Sequence, residues 1–405
     1  MKKLSLSIFA LAAIMLTSCN DKDENTSGPS TSGEPVLATF RISSPDTYVV
    51  TGTDPGSATE NQIDIVEFYL FDENGVRDES TSSYDYSYHK YEGSVNQEIM
   101  FLVKSGNNKK ILVAANRNLG QQAGLNYDEM EALVEAKTLT NTNSRQINAG
   151  EFVMSGKATA SIVENRTDNE VTIRIHRTVS KVEQPRFGEN FSVNIPQDDL
   201  WSLFEDSTVT NEAVVFTLDS YALINGYSKS HTFMHYNSTN NEQSEWNLWA
   251  PGGEYFASDY DTDGNLLTAY SGMIDNSPWL TGTSIFVYEN QPRDTVSTET
   301  GIAGFPREEV YAFLIKGTLS YPAANETYER YWRVNLIRDD NYRIFRNTIY
   351  RVLLDELRTI GYGNPKEGDD DEDNGGGVVP RNDQTGIQAT IEIVPWTIRT
   401  QNTDF

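Results

Sequence analysis

The chain has 405 residues and a formal net charge of -27, with 59 Asp plus Glu against 32 Lys plus Arg. This length predicts about two or three domains, each large enough to bury its own core. The negative charge argues against binding nucleic acid or an anionic membrane surface by general electrostatics. One Cys excludes a disulfide framework, a thiolate zinc site and an iron–sulfur cluster, and four His leave little material for a histidine metal centre. Abundant Tyr, Thr, Asn and Ser favour β structure, so composition predicts an acidic, mostly β, extracytoplasmic protein.

Residues 1–19 have the pattern of a lipoprotein signal peptide. Two lysines follow Met1, and the 13 residues from Leu4 to Leu16 are almost wholly apolar, a run too short to span a bilayer. Leu16-Thr17-Ser18-Cys19 resembles a bacterial lipobox. Cys19 is therefore the predicted lipidation site, and its lipid the predicted attachment to the outer membrane. The alternative is an ordinary secretory signal with a chance Cys.

The next segments predict a tether and a detachable first strand. Residues 20–35 are polar and rich in Ser, Gly, Pro and Thr, which is typical of a flexible tether. Residues 36–42 predict a strand with Val36, Ala38, Phe40 and Ile42 on one face. Polar loops of roughly 16 and 20 residues flank it. This strand can therefore leave without pulling core backbone with it.

The predicted N-terminal domain, residues 36–184, continues with more strands and one helix. Tyr84-x-Tyr86-x-Tyr88 predicts aromatic side chains on one strand face, where cross-strand packing is favoured over a glycan-binding platform. Met130, Leu133 and Val134 have helical spacing and predict a helix over 127–136. The other predicted elements are strands at 63–71, 100–103, 110–115, 152–157 and 171–182, with a turn at 106–108.

The predicted C-terminal domain, residues 185–405, begins where Pro185 and Gly188 indicate a boundary. Residues 367–377 are acidic and rich in Gly, which predicts a loop or disorder. The predicted strands lie at 213–223, 283–290, 310–320, 328–336, 341–354 and 387–398.

The last of these strands, residues 387–398, changes face near its end. One face carries the apolar residues Ile387, Ala389, Ile391 and Ile393. Pro395 then interrupts the ladder, and the apolar pattern resumes on the opposite parity at Trp396 and Ile398, as a bulge would produce.

One segment has the spacing of a metal site. Asp259, Asp261 and Asp263 precede Gly264 as in a calcium loop, but its twelfth position is Tyr270 where a bidentate Glu is needed. An Asp-rich turn is therefore the favoured interpretation. The sequence contains no nucleophile elbow, phosphate-binding glycine loop or His-Glu-x-x-His motif. We therefore predict no enzyme, no catalytic residue and no cofactor.

The first and last predicted strands suggest a way in which two copies of the chain associate. A sandwich that lacks one strand exposes unpaired N–H and C=O groups, which an extended segment of a neighbour fills by β-augmentation. Four apolar side chains inserted this way contribute on the order of 6–12 kcal/mol before ordering costs. The alternative is that both segments are ordinary strands within one chain, and the pattern alone favours it.

Several segments together resemble a known family. Besides the Cys19 lipobox, they are IVEFYLFDENG (65–75), KILVAAN (110–116), FVMSG (152–156), RTVSK (177–181), YRIFRNTIYRV (342–352) and IEIVPWTI (391–398). In this order they resemble the fimbrillins of Bacteroidales, subunits of type V pili, over nearly the full length. The similarity is greatest to the major-subunit type with a fimbrillin C-terminal domain.

The resemblance implies an all-β fold of two transthyretin-like Greek-key β-sandwich domains with minor helices. It also implies lipoprotein export, removal of the first strand by a trypsin-like protease, and insertion of a donor segment from the next subunit. Arg41 is then the processing candidate, because no Lys or Arg occurs between it and Arg77. Arg41 lies inside the predicted strand, so a protease of other specificity acting in residues 43–60 is the alternative. The donor candidates are Ile387, Ala389, Ile391, Ile393, Trp396 and Ile398, of which the last two are assigned either to the donor or to the parent domain.

These features predict a structural subunit that supports adhesion as part of a surface fimbrium. Its implied partners are further copies of itself, accessory fimbrial subunits, the outer membrane, the processing protease and receptors on host or bacterial surfaces. One rival is a fimbrial anchor or accessory subunit; an anchor would keep its lipid and its first strand, and a tip subunit would lack the donor segment. Another is a monomeric surface lipoprotein that binds glycans through exposed aromatic residues such as Tyr84 and Tyr86.

Overall fold

The computed structural model describes a large part of the chain, and the described residues are 33–43, 57, 59–78, 81, 83–93, 98–136, 152–224, 229–233, 284–288, 312–336, 344, 346–363 and 386–395. Cys19, the three aspartates 259, 261 and 263, Trp396, Ile398 and the acidic segment 367–377 lie outside these residues.

The N-terminal part of the described chain forms eight strands and one short helix. The strands are β1 (Pro35–Ser43), β2 (Ile65–Phe71), β3 (Tyr88–Glu92), β4 (Glu98–Lys104), β5 (Gly106–Ala115), β6 (Val134–Ala136), β7 (Met154–Ile162) and β8 (Glu170–Arg177), and the helix is α1 (Tyr127–Glu131).

The C-terminal part forms nine more strands and a second helix. The strands are β9 (Val179–Val182), β10 (Arg186–Val193), β11 (Val215–Ile224), β12 (Lys229–His231), β13 (Ile285–Tyr288), β14 (Ala312–Tyr321), β15 (Glu326–Asn335), β16 (Thr348–Leu357) and β17 (Ile387–Pro395), and the helix is α2 (Gln197–Phe204). Among the described residues, neither helix has the length and apolar character needed to cross a membrane.

Seven N-terminal strands form one continuous sheet in the order β3-β2-β5-β7-β8-β1-β4. β8 connects its two parts, because the N-terminal half of β8 pairs with β1 and its last residues pair with β7. The Phe40 ring of β1 lies 5.3 Å from the Phe68 ring of β2, centroid to centroid. The sheet therefore folds over itself into a sandwich, and the apolar face of β1 packs against β2.

The C-terminal strands form a five-stranded and a three-stranded sheet. In the first, β16 pairs with β17 on one side and with β9 and β10 on the other. In the second, β14 pairs with β11 and β15. Trp332 of β15 is fully buried, with its ring 5.0 Å from that of Phe216. Gly361 has φ +71° and lies against this indole, so a side chain there would be both strained and in collision with it.

Two sets of contacts are prominent among those that connect the halves. β6 pairs with β12, and Phe233, just beyond β12, is buried in a second apolar cluster on the outer face of β2. The buried Arg177 donates hydrogen bonds to the Glu60 carbonyl (3.1 Å) and to Asn347 Oδ1 (3.0 Å). A buried guanidinium needs such partners, so this residue fixes the junction before β2 to that before β16.

The prediction of an all-β sandwich fold is confirmed, and three local predictions are wrong. The helix predicted over 127–136 ends at Glu131, because Val134–Ala136 instead pairs with β12. Residues 106–108 are not a turn but the start of β5, since β4 and β5 pair with different partners. Residues 171–182 form two strands, β8 and β9, which belong to different sheets.

The division into domains at residues 184/185 remains a prediction. β9 precedes that point in the chain but pairs with β13 and β16 of the C-terminal half.

Candidate functional site

The candidate site is the groove between β4 and β8, which β1 fills in this structure; we call it the β1 groove. β1 pairs antiparallel with β4 from Pro35 to Arg41 and parallel with β8 from Thr39 to Ser43. The Ser105 N–H donates to the Glu34 carbonyl (2.8 Å), and the Thr39 N–H donates to the Asn169 carbonyl (2.8 Å). Removing β1 would therefore leave unpaired main-chain groups on both flanking strands.

The inner face of β1 is part of the main apolar core. Val36, Ala38, Phe40 and Ile42 are all buried, as their alternation in sequence predicts. The Phe40 ring stacks on Phe101 of β4 at 4.4 Å between centroids. An empty β1 groove would thus expose a continuous apolar surface.

The outer face of β1 carries a charge cluster. Arg41 Nε donates to Glu98 Oε1 of β4 at 2.8 Å, and Arg41 Nη1 donates to Glu170 Oε1 of β8. The three side chains are about half exposed. One guanidinium therefore bridges the two strands that border the groove. The sequence analysis missed Glu98 and Glu170. The available signal was their position just before the predicted strands at 100–103 and 171–182.

The predicted processing residue Arg41 thus lies in a strand that is paired on both sides. Its side chain is accessible, but its peptide bond lies in the ladder between β4 and β8. A protease that binds its substrate in extended form needs this strand to open first.

The predicted donor residues lie in the chain's own C-terminal sheet. β17 pairs antiparallel with β16 from Ile387 to Pro395. Ile387 and Ile391 are buried in the core, Ala389 is partly buried, and Gln388 and Glu392 point outward, as the alternation predicted. The structure therefore places Arg41 and the strand of the donor candidates in separate sheets, with Ile387, Ala389 and Ile391 packed against the core of their own sheet.

The aromatic residues of the glycan-binding interpretation do not form an exposed platform. Tyr84 and Tyr86 precede β3 and are not part of it, and Tyr86 is buried. The Tyr84 hydroxyl accepts the Leu102 N–H at 3.1 Å. The neighbouring His89 ring lies 3.9 Å from Phe101, and burial lowers the pKa of His89 to about 4. These side chains pack beside the β1 groove, so the description of Tyr84 and Tyr86 as exposed is wrong.

The weak calcium candidate, Asp259, Asp261 and Asp263, cannot be located because it lies outside the described residues. Within the part of the chain that the structure describes, no group of three or more His, Cys, Asp or Glu side chains is arranged to hold a metal ion.

Two family models match the sequence. The model for the major fimbrial subunit protein (FimA) matches residues 38–183, and the model for the C-terminal region of fimbrillin, the type IV major fimbrial subunit protein, matches residues 307–402. The first range begins within β1 and the second contains β17. No curated protein matches the sequence significantly.

Solved structures share the fold at low sequence identity. A candidate cell adhesion protein from Bacteroides eggerthii DSM 20697 matches with a TM-score of 0.53 and 15% identity, over 92% of this chain and 99% of that protein. A fimbrilin from Porphyromonas gingivalis W83 matches with a TM-score of 0.50 and 16% identity, over 90% and 98%. A further candidate cell adhesion protein, from Parabacteroides distasonis ATCC 8503, gives 0.50 and 14%, over 91% and 99%.

The fold thus defines an all-β sandwich protein of the kind seen in these bacterial surface proteins. Because the two family models together match more than half of its residues, the chain belongs to the fimbrillin family of major fimbrial subunits. Membership implies a structural role in a fimbrium at the cell surface.

Proposed function

We propose that this protein is a structural subunit of a surface fimbrium that polymerises by strand exchange. It would be exported as a lipoprotein acylated at Cys19, lose β1 to proteolysis, and receive the C-terminal segment of another subunit in the β1 groove. The resulting filament would support adhesion, and the subunit itself would perform no catalysis. The observation that carries the proposal is the position of β1, a first strand that is paired on both sides in its sheet yet ends at Ser43, well before β2 starts at Ile65.

The energetics of the groove support this mechanism. The three large buried side chains of β1, Val36, Phe40 and Ile42, with the methyl group of Ala38, contribute on the order of 5–10 kcal/mol by apolar burial. This is comparable with the whole stability of a typical domain, so loss of β1 would leave the subunit much less stable until another strand replaces it. Apolar side chains of an inserted strand in these positions would hold it in place for long times.

Proteolytic removal of β1 should be slow in the folded protein, because β1 is paired on both sides. Arg41 remains the candidate for a trypsin-like protease, and its ladder position predicts that cleavage of folded protein is limited by opening of β1. A protease of other specificity acting in residues 43–60 remains the alternative. Trypsin digestion of the folded and the urea-unfolded chain, followed by mass spectrometry, separates the two: cleavage at Arg41 only after unfolding supports the alternative.

The proposal is tested with a chain that begins at residue 33 and carries a site-specific protease sequence in place of residues 48–54. We expect monomer before cleavage and filaments in electron micrographs after it. A matched chain that ends at residue 386 should be cleaved equally but form no filaments. Cleaved full-length chain that stays monomeric at high concentration would contradict the proposal.

An anchor subunit is the second candidate, because the structure with β1 in place is also the form that an anchor would keep. Mass spectrometry of sheared surface material distinguishes the two. A stalk subunit should lack at least residues 1–41, whereas intact acyl-Cys19 in high-molecular-weight filaments would favour the anchor and contradict the processing step.

A further inference from the structure

The outer face of β1 contacts β4 in a defined register. Leu37 faces Leu102, Thr39 faces Met100, and Arg41 faces Glu98. On the other side, Arg41 reaches Glu170 of β8. When β1 leaves, the two carboxylates on either side of the groove lose the guanidinium that bridges them. A replacement strand restores this bridge only if it brings a cation to the position of Arg41.

The C-terminal segment repeats the sequence pattern of β1. Residues 36–41 read VLATFR, and residues 394–399 read VPWTIR. Val, Thr and Arg are identical at the same spacing, and the third and fifth positions are apolar in both segments. Arg399 therefore takes the place of Arg41 in the pattern, and Trp396 and Ile398 take the places of Ala38 and Phe40.

Pro395 restricts the registers that the groove can accept, since proline has no N–H to donate. The Thr39 N–H donates to Asn169, so a proline at that position would break a ladder bond. In the antiparallel β1–β4 ladder, hydrogen-bonded and non-hydrogen-bonded pairs alternate. Glu34 and Ser105 form a hydrogen-bonded pair, so Leu37, three residues further on, is at a non-hydrogen-bonded position towards β4. Pairing with β8 begins only at Thr39. A proline is therefore tolerated at Leu37 or at Pro35.

We propose that residues 394–399 of a second copy of this chain occupy the β1 groove in the register of residues 36–41, with Arg399 between Glu98 and Glu170. The charge bridge selects this register over the one that places Pro395 at Pro35, where Arg399 would lie at Thr39. This inference rests on the proposed strand exchange and specifies which residues enter and where.

The same assignment explains how a chain donates without opening its own core. Ile387 and Ile391 of β17 are buried in the parent domain, so residues 387–393 stay paired with β16. Donation then releases only the pairs of Val394 with Ile349 and of Pro395 with Thr348. Trp396 is larger than Ala38, so the core side chains around that position have to shift when the strand enters.

Disulfide trapping measures the register directly, since the sole Cys of the sequence, Cys19, is absent from a chain that begins at residue 33. The donor is the uncleaved chain with Thr397→Cys, which keeps β1. The acceptor carries the engineered cleavage site and Met100→Cys and ends at residue 393, so it can accept but not donate. Non-hydrogen-bonded antiparallel pairs have the Cα separation that a disulfide needs. We expect a covalent heterodimer with Met100→Cys and a several-fold smaller yield with Leu102→Cys, which reports the shifted register.

A charge exchange tests the bridge itself, with peptides of residues 392–405 binding to the same acceptor without cysteines. Arg399→Glu should weaken binding by roughly 5- to 30-fold, as expected for two exposed ion pairs replaced by repulsion. Glu98→Lys with Glu170→Lys in the acceptor should restore binding of this peptide to within about threefold. The matched control exchanges the two residues, Thr397→Arg with Arg399→Thr, which keeps the peptide charge. It should bind more weakly than the unmodified peptide, and the difference should shrink in 1 M salt.

The outcomes separate this inference from the proposed function. Complex formation between cysteine-free donor and cleaved acceptor supports strand exchange in any register. A complex that crosslinks through Leu102→Cys, or that binds the exchanged peptide as well as the unmodified one, overturns the register and leaves the exchange intact. Absence of any complex, while the cleaved acceptor remains folded by circular dichroism, overturns both.

Discussion

The first and last strands of the described chain are both apolar and alternating, but they hold opposite positions in their sheets. β1 lies between β4 and β8 and pairs with both, whereas β17 pairs with β16 along one side. Loss of a central strand separates its neighbours and exposes two edges, while release of the end of β17 breaks only two pairs. β1 is therefore the better integrated of the two strands. In the proposed strand exchange its departure would need cleavage, whereas the end of β17 would detach by thermal opening.

Excision of each strand is the strongest test of this difference. A chain that begins at residue 44 loses four buried side chains, on the order of 5–10 kcal/mol, and should form oligomers or aggregate. Adding a peptide of residues 33–43 should keep it monomeric. A chain that ends at residue 386 should remain a folded monomer of reduced stability. Size-exclusion chromatography measures both, and equal behaviour of the two truncated chains would contradict the comparison.

Single core substitutions in β1 should also destabilise the protein more than those in β17, but by less than excision of a whole strand. Phe40→Ala removes a fully buried ring that contacts Phe68 and Phe101 and should lower the free energy of unfolding by about 3–5 kcal/mol. Ile391→Ala in β17 should cost about 2–3 kcal/mol, because a smaller group is lost beside an edge. Glu392→Ala, on the exposed face, is the matched control and should stay within about 0.5 kcal/mol. Urea denaturation of the uncleaved chains gives these values; a larger loss for Ile391→Ala would reverse the assignment.

Acid should loosen the β1 region before the β17 region. Burial lowers the pKa of His89 and of His176 to about 4, with nearby Arg346 and Arg174 contributing at His176. In the unfolded chain a histidine has a pKa of about 6.5. Between pH 6.5 and pH 4 the unfolded chain therefore binds protons at these two histidines that the folded chain does not bind. The free energy of unfolding is greatest above pH 6.5 and falls by about 1–3 kcal/mol as the pH drops towards 4.

Hydrogen exchange at pH 5 and pH 7 measures this effect strand by strand. Amides of β1 and β8 should lose more protection at pH 5 than those of β16 and β17. His89→Gln should reduce the difference in the β1 region, and an unchanged difference would exclude that histidine as its source.

Loss of the Arg41 bridge should have the smallest effect. Arg41→Gln removes two ion pairs whose side chains are about half exposed, and the free energy of unfolding should fall by less than about 1 kcal/mol. The loss should decrease further as salt is raised from 0.05 to 0.5 M. A loss above 2 kcal/mol would mean that the bridge stabilises the closed subunit instead of selecting the incoming strand.

Sequence periodicity predicted strands correctly where one face is buried. Val36, Ala38, Phe40 and Ile42 alternate with outward residues, and β1 forms as expected. The helix prediction for 127–136 was wrong at its C-terminal end, because a short apolar run fits both the helical and the strand periodicity. Pairing with β12 makes Val134 part of a strand. The strand predicted at Tyr84 and Tyr86 failed because alternation does not reveal that this segment packs irregularly against β4, whereas the favoured interpretation of packed aromatic side chains agrees with the burial of Tyr86.

The amino-acid sequence alone determined the β class of this protein, the apolar face of its first and last strands and its resemblance to fimbrillins, because side-chain alternation and turn chemistry are local properties. Only the tertiary structure decided that β1 is central, that β17 packs on its own domain, and that Arg41 joins Glu98 to Glu170. These facts depend on pairing between residues far apart in the chain, which no local pattern specifies.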